Sequence, residues 1–255
     1  MVSLDIQLTA SHADWSILRD VALKVENDEY DALWVVDHLA GVPFGGQRSL
    51  DCFTFLGALA EATTTIELGA LVANVWNRQV GTLAVAAASV SEISGRRFLL
   101  GVGAGTSPNS RWAAEQHAVG AEIESEMSVR HRRVEDLLDL TDAMWRADRA
   151  DQFTTFPLPS PVPPRIIGTN SIELSELAGR RAEGVNVAWN HPRRGELLDV
   201  ARRAADGRPF QTTTWLPWSR EIIADDHPVR VEIAAANIDR VILAVVDNSA
   251  EFLSS

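Results

Sequence analysis

Short β-branched and apolar runs alternate with longer segments of helical period along nearly the whole chain. This alternation is typical of a parallel sheet with helices packed outside it. The 255 residues accommodate eight strand–helix units and can bury one large core. We therefore predict an α/β fold, a (β/α)8 TIM barrel, as a single domain over residues 1–255. The predicted strands are 3–8, 32–36, 66–72, 98–102, 165–168, 185–188, 210–215 and 240–246.

The charge of the chain narrows its possible partners. It carries 35 acidic and 23 basic side chains, a formal net charge of -12, which repels phosphate backbones and argues against nucleic acid. No apolar run approaches the roughly 20 residues that a membrane span needs. The N-terminus lacks the pattern of a signal peptide, and a single cysteine excludes an internal disulfide. We expect a soluble, cytoplasmic protein that binds a small-molecule substrate.

Residue spacing gives no support to two common classes of enzyme. The six histidines are scattered singly and no His-x-His pair closes a strand, so we expect no catalytic metal. No Gly-x-Ser-x-Gly segment is present, which argues against a serine hydrolase with a nucleophile elbow. In a (β/α)8 barrel the catalytic residues lie where strands end and loops begin. The carboxyl ends of the predicted strands are therefore the places to examine.

The second predicted strand ends in a carboxylate and an imidazole, Asp37 and His38. Histidine titrates near neutral pH, so His38 could donate or relay a proton to a bound ring system. Asp37 could orient His38 or a neighbouring backbone group. Alternatively, Asp37 caps the loop and His38 only packs. The position at a strand end makes the two interpretations about equally favoured.

Two further strand ends offer groups that can bind a ligand. The turn from Gly101 to Gly105 lacks the later glycine of a dinucleotide-binding fingerprint, so a Rossmann site is not expected. Its glycines allow a planar ligand to approach the backbone closely, or they serve a tight turn that needs positive φ. Asn170 and Ser171, at the start of a predicted helix, could bind a phosphate or cap the helix.

Four segments taken together are similar to one known family. They are residues 33–38, 53–63, 66–72 and 93–105, in this order and spacing, and the chain resembles the luciferase-like monooxygenase family through them. The resemblance implies a barrel that binds reduced flavin mononucleotide (FMN) or the deazaflavin coenzyme F-420, with the ring in the barrel mouth. The deazaflavin branch looks most similar. Members often form dimers, so a homodimer is expected.

The resemblance also implies particular site residues. The histidine near the reactive edge of the ring corresponds to His38, with Asp37 beside it. A non-prolyl cis peptide that supports the ring would fall at Leu71–Val72. The other residues implied in cofactor binding are Ala70, Ala73, Asn74, Gly105, Thr106, Gly168, Thr169 and Asn170. Candidate donors to the phosphate are backbone N–H groups, ranked first, and then Arg78 and Arg111.

The sequence departs from the resemblance in two places. Sugar-phosphate dehydrogenases of the deazaflavin branch carry a catalytic glutamate where this chain has Thr106, so their substrate is not carried over. The segment between the seventh and eighth strands is short, which predicts a reduced lid insertion. The leading hypothesis is hydride transfer between coenzyme F-420 and a small organic substrate. The alternatives are an FMN-dependent monooxygenase and a barrel that binds a ligand without catalysis.

Overall fold

Eight parallel strands close into a barrel in chain order, from β1 beside β2 round to β8 beside β1. The structure is a computed structural model that describes residues 2–11, 13–246 and 249–255. All eight predicted strands are present, so the predicted (β/α)8 barrel is confirmed. The strands are β1 Ser3–Leu8, β2 Ala32–Val35, β3 Glu67–Asn74, β4 Phe98–Gly103, β5 Arg165–Gly168, β6 Gly184–Ala188, β7 Gln211–Pro217 and β8 Arg240–Val245.

Helices surround the barrel and bury one face each against it. The first of them, Trp15–Asn27, buries Leu18, Val21, Ala22 and Val25, which recur every three or four residues. Among the described residues, no helix is both long enough and apolar enough to cross a membrane. The helices are α1 Trp15–Asn27, α2 Cys52–Ala62, α3 Val80–Ser94, α4 Ala114–Ala118, α5 Met127–Met144, α6 Ile172–Arg181, α7 Arg194–Ala205, α8 Pro228–Ala235 and α9 Ser249–Leu253.

Alternation along the strands separates two apolar clusters. Leu33 and Val35 of β2 belong to the large cluster between sheet and helices, whereas Ala32 and Trp34 belong to a small cluster inside the barrel. The Trp34 ring lies against Gly69, where a Cβ atom would come within 2.5 Å of the ring. A glycine at this position in β3 therefore makes room for the largest side chain of the barrel interior.

A cluster of charged side chains closes the amino-terminal end of the barrel, called here the floor. Arg240 donates to both oxygens of Asp5 at 2.9 and 2.8 Å, and the Trp34 Nε1 atom donates to Asp5 at 2.6 Å. Arg240 also donates to Glu67 at 2.9 Å. Burial raises the pKa of Asp5 to about 7, although Arg240 and Trp34 lower it. The floor is therefore a buried ionic cluster that joins the first residues of several strands.

The connection from β7 to β8 is short. Residues 218–239 contain a 3-10 turn, Glu221–Ile223, and α8, and they form no further sheet. The expected reduction of the lid insertion is thus observed, and the carboxyl end of the barrel is left open on this side.

Candidate functional site

A cavity of about 760 Å³ lies at the carboxyl ends of the strands. Pockets that hold small molecules usually measure about 300–1,000 Å³. All eight strands supply lining residues from their last positions or from the residues just after them. Examples in strand order are Gln7, Thr9, His38, Leu71, Gly103, Gly168, Asn186, Trp215 and Ala244.

Most of the residues predicted for the site line this cavity. Ala70 and Ala73 do not, because both are fully buried in the cluster between the sheet and the helices. Their side chains pack away from the barrel mouth. The predicted residues that line the cavity are Asp37, His38, Leu71, Val72, Asn74, Gly105, Thr106, Gly168, Thr169 and Asn170.

His38 is held by a carboxylate that the sequence pattern did not predict. The His38 Nδ1 atom lies 2.8 Å from the Oε1 atom of Glu115, a residue of α4. The Oε2 atom of Glu115 accepts the backbone N–H groups of Leu39 and Ala40, each at 2.9 Å. The side chain of Glu115 is 1% exposed, whereas that of His38 is 25% exposed and lines the cavity. One carboxylate therefore fixes both the ring and the loop that follows it.

Asp37 has a different partner and does not contact the His38 ring. Its two oxygens accept from Arg78 at 2.7 and 3.0 Å, and its Oδ2 atom also accepts the backbone N–H of Asn74 at 2.8 Å. Arg78 donates to Asp51 as well, at 2.9 Å. Asp37 therefore orients a neighbouring backbone group, which was one of the two roles considered for it.

This pairing changes the assignment of phosphate donors. Burial lowers the pKa of Arg78, but its bonds to Asp37 outweigh that effect and raise the pKa overall. Both ends of the guanidinium are engaged by carboxylates, so Arg78 is a poor candidate for binding an anion. Arg111 is stacked on Trp112 at 4.4 Å and is not among the lining residues.

The Leu71–Val72 peptide is cis, as the resemblance implied. The pairing between β3 and β4 shifts register at this point, between Ala70 and Ala73. The Gln7 Nε2 atom of β1, two strands away, donates to the carbonyl of Leu71 at 2.6 Å. The carbonyl side of this peptide is thus held by a buried amide that the sequence pattern did not single out.

Two glycines of β4 lie close against β3. A Cβ atom at Gly101 would collide with the carbonyl oxygen of Ala70, and one at Gly103 would lie 2.6 Å from the side chain of Val72. Gly105 has a φ of 75°, so it fits the interpretation of a tight turn. Gly103 also lines the cavity, so the approach of a planar ligand to its backbone stays a prediction.

Aromatic side chains form one wall of the cavity beside His38. The Phe44 ring meets the His38 ring edge-on with centroids 4.7 Å apart, and the Trp112 ring lies 5.7 Å from it. Trp215 of β7 also belongs to the lining. The aromatic wall therefore comes mainly from the loops after β2 and β4.

Several polar atoms at the cavity are left for a ligand. Thr9 and Gln116 are buried, yet the Thr9 Oγ1 and Gln116 Oε1 atoms have no hydrogen-bond partner within the described segments. Both residues line the cavity. Buried polar atoms normally find a partner, so these two indicate that the cavity accepts a polar ligand.

The positive charge at the cavity comes from α5. Arg130 is the only arginine or lysine among the described lining residues, and it donates to the carbonyl of Gly105 at 3.0 Å. Its Nε atom is buried without a partner in the described chain. Burial lowers the pKa of the neighbouring His131, which favours its neutral form, although Glu173 opposes this effect. Arg130 therefore supplies the lasting positive charge of the lining.

The helix after β5 begins at the rim of the same cavity. Ser171 caps α6, since its hydroxyl accepts the N–H of Leu174 at 3.2 Å. This leaves Thr169 and Asn170 as lining residues beside the helix N-terminus, a position that suits an anion. In the described part of the chain, no group of three or more His, Cys, Asp or Glu side chains could hold a metal ion.

Comparisons with known proteins agree with this geometry. The family model described as luciferase-like monooxygenase matches residues 2–249. An F420-dependent glucose-6-phosphate dehydrogenase from Nakamurella multipartita is 27% identical over 184 residues, which cover 66% of this chain and 51% of the relative. This chain spans about half the length of the curated relatives that it matches.

Solved structures show the same fold at low identity. An F420-dependent secondary alcohol dehydrogenase superposes with a TM-score of 0.71 and 14% identity, over 99% of this chain and 97% of that one. The monooxygenase RslO1 from Streptomyces bottropensis superposes with a TM-score of 0.74 and 15% identity, with the same two coverages. With a family model that matches nearly all of its length, the chain belongs to the luciferase-like monooxygenase family.

Proposed function

We propose that the protein is an oxidoreductase that transfers a hydride between the deazaflavin coenzyme F-420 and a small organic substrate. The observation that carries this proposal is His38, whose ring lies at the cavity with one nitrogen held by the buried Glu115. A fixed imidazole beside an enclosed space can move a proton while a hydride is transferred. The similarity to F420-dependent glucose-6-phosphate dehydrogenases supports the choice of coenzyme.

The cavity suits a cofactor with a planar ring and an anionic tail. Leu71 and Val72 would support the ring, and Thr9 and Gln116 offer it two unpaired polar atoms. Arg130 and the N-terminus of α6 would hold the phosphate. When bound, the deazaflavin supplies a two-electron carrier, while the protein supplies binding, orientation and proton management.

The chain's own residues divide the remaining tasks. Within the described residues His38 uses only its Nδ1 atom in a hydrogen bond, so Nε2 is the atom that can exchange a proton with a substrate. Phe44 and Trp112 pack against the His38 ring and help to hold its orientation. Trp215, 37% exposed at the mouth, lies where a substrate would enter.

An FMN-dependent monooxygenase is the second candidate, and one observation favours keeping it. Family members superpose equally well whether they are dehydrogenases or monooxygenases. A phosphate clamp made of several arginines would favour FMN, but Arg78 is occupied by carboxylates and Arg130 alone lines the cavity among the described residues. The lining therefore lacks this sign of FMN, and the choice of the deazaflavin rests on the F420-dependent relatives.

Titration of the protein with coenzyme F-420 and with FMN, each oxidised and reduced, tests the proposal. Trp112 and Trp215 line the cavity, so tryptophan fluorescence reports binding. We expect micromolar binding of coenzyme F-420 and at least tenfold weaker binding of FMN. In Trp112→Phe the amplitude of fluorescence quenching should fall, which would show that the cofactor binds near Trp112.

If the protein binds reduced FMN more tightly than coenzyme F-420, the monooxygenase hypothesis replaces the proposal. Binding of neither cofactor would leave the third possibility, a barrel that binds another ligand without redox chemistry. His38→Ala serves as the catalytic control: it should bind the cofactor nearly as well as the original protein and lose turnover.

A further inference from the structure

Glu115 is a buried charge that the binding of a cofactor does not explain. It lies on the short helix α4, 77 residues from His38, and its side chain is 1% exposed. Gln116 also donates to its Oε1 atom, at 3.3 Å. A charged side chain in such a position is costly unless each oxygen is satisfied. Three N–H donors, those of Leu39, Ala40 and Gln116, converge on this carboxylate, so its environment is built for the ionised form.

The donors determine which nitrogen of His38 carries the proton. Backbone N–H groups can only donate, and Leu39 and Ala40 both donate to Oε2. An ionised carboxylate accepts hydrogen bonds and has no hydrogen to give. The Nδ1 atom at 2.8 Å from Oε1 must therefore carry a hydrogen. In the neutral ring, Nε2 is then without one.

We propose that Glu115 is a positioning residue that fixes His38 in the tautomer protonated on Nδ1, so that Nε2 faces the cavity as a proton acceptor. The same carboxylate fixes the backbone of residues 39 and 40, which sets the direction of the ring. A second layer supports it: Gln116 donates to Asn77 at 3.1 Å, and Asn77 donates to the carbonyl of Asp37 at 3.0 Å. The end of β2, the loop after β3 and α4 are thus joined around one imidazole.

The fixed tautomer narrows the substrate class, and this step rests on the proposed function. A neutral Nε2 takes up a proton, so it suits a substrate that loses a proton together with its hydride. Such a substrate would give its hydride to a bound deazaflavin and its proton to the Nε2 atom of His38. The resulting imidazolium is paired with Glu115.

Nuclear magnetic resonance of the histidine nitrogens tests the proposal without substrate or cofactor. Protein labelled with 15N-histidine is measured above neutral pH, and His38→Ala assigns the His38 signals. We expect Nδ1 to show the chemical shift of a nitrogen that carries hydrogen and Nε2 that of a nitrogen that does not. The reverse pattern in the original protein would overturn the proposal.

Glu115→Gln provides the second arm. The amide oxygen is needed by Leu39 and Ala40, so the NH2 group faces Nδ1, which must then accept. We expect the two nitrogen signals of His38 to exchange character. An unchanged pattern in a folded variant would contradict the role of Glu115.

Glu26→Gln is the matched control. Glu26 also accepts backbone N–H groups of a loop, those of Thr64, Thr65 and Ile66, but it contacts none of the described histidines. Its substitution should leave the His38 signals unchanged. A shift of the same size in this variant would show that the response is a general effect of loosening a loop.

Cofactor binding and turnover separate this inference from the proposed function. Glu115→Gln should change the dissociation constant of coenzyme F-420 less than threefold and lower kcat about 100-fold or more, since the wrong nitrogen carries the proton. If the deazaflavin does not bind but the tautomer is as expected, the proposed function fails and the positioning role stands. If it binds and the tautomer is reversed, the positioning role fails alone.

Discussion

The barrel holds a buried aspartate–arginine pair at each end, and the two pairs differ in what else they bind. At the floor, Asp5 pairs with Arg240, and at the mouth, Asp37 pairs with Arg78. Both aspartate side chains are completely buried and both accept two bonds from their arginine. The residue types are therefore the same, although one arginine nitrogen serves both oxygens at the floor and two nitrogens serve them at the mouth.

The other hydrogen bonds around the two pairs show which pair stabilises the barrel and which belongs to the candidate site. At the floor, the further partners are the side chains of Trp34 and Glu67, which belong to strands. At the mouth, Asp37 accepts a backbone N–H just where β3 ends, and the nearby Glu115 accepts two more from a loop. We conclude that the floor stabilises the barrel, whereas the mouth orients loops around a cavity.

The largest expected effect is at the floor. Asp5→Ala leaves Arg240 buried with Glu67 as its only carboxylate among the described residues, so we expect the free energy of unfolding to fall by about 3 kcal/mol. Urea denaturation followed by circular dichroism measures this. Asp5→Asn, which can still accept from Trp34, should lose less. If Asp5→Ala lowers the free energy of unfolding by less than about 1 kcal/mol, the floor does not stabilise the barrel more than the mouth does.

At the mouth, we expect a smaller loss of stability together with a loss of binding. Asp37→Asn weakens the bonds from Arg78 and from the backbone of Asn74, with a cost of about 2 kcal/mol. Because Asn74 lines the cavity, binding of the deazaflavin should weaken about tenfold. Calorimetry and the fluorescence titration measure the two effects. If Asp37→Asn is destabilised but binds the deazaflavin as tightly as the original protein, the Asp37–Arg78 pair has only a structural role, like the pair at the floor.

Glu26 sharpens the comparison, because it also binds the backbone of a loop, but this loop does not line the cavity. Burial would raise its pKa, but hydrogen bonds from the backbone of Thr65, Ile66 and Thr64 lower it from 4.5 to about 2. A carboxyl whose pKa is lower in the folded state stabilises the fold above pH 4.5, and this contribution disappears as the pH falls towards 2. Glu26→Gln should therefore be less stable than the original protein near pH 6, by about 1–2 kcal/mol.

The same difference should nearly vanish near pH 2.5, where Glu26 approaches its own pKa in the folded state. Thermal unfolding at a series of pH values compares the two proteins. A difference in stability that stays constant over this range would show that the ionised carboxylate is not what the loop requires.

The smallest effect on stability is expected for Arg130→Gln. Its guanidinium makes one hydrogen bond, to the carbonyl of Gly105, and has no carboxylate partner in the described part of the chain. The free energy of unfolding should change by less than about 0.5 kcal/mol. Cofactor binding should weaken about fivefold, which corresponds to about 1 kcal/mol. Arg132→Gln, on the exposed face of α5, is the control and should bind normally.

The sequence predicted the barrel because each strand carries its own local signal. Runs of β-branched residues identified all eight strands, and the rule that barrel sites lie at carboxyl ends identified His38. Pairing across elements has no such local signal. Arg78 was a candidate anion donor until Asp37 and Asp51 were seen to occupy it.

Glu115 illustrates the same limit. It lies between alanine and glutamine in a short helical segment, and nothing nearby distinguishes it from a surface glutamate. Only its contact with a residue 77 positions earlier reveals its role. The β4 glycines show the limit again, because their spacing did not reveal that Gly101 and Gly103 lie against β3 and leave no room for a side chain.

The bond between His38 and Glu115 bears on how this barrel can be re-engineered. Grafting residues 33–38 onto another barrel would transfer the imidazole but not its orientation, because the carboxylate arrives with the segment after β4. A graft must therefore include both the loop after β2 and the segment after β4 that contains α4. Laboratory recombination that separates them should give folded, inactive chimeras, and crossover points placed after α4 should preserve the pair.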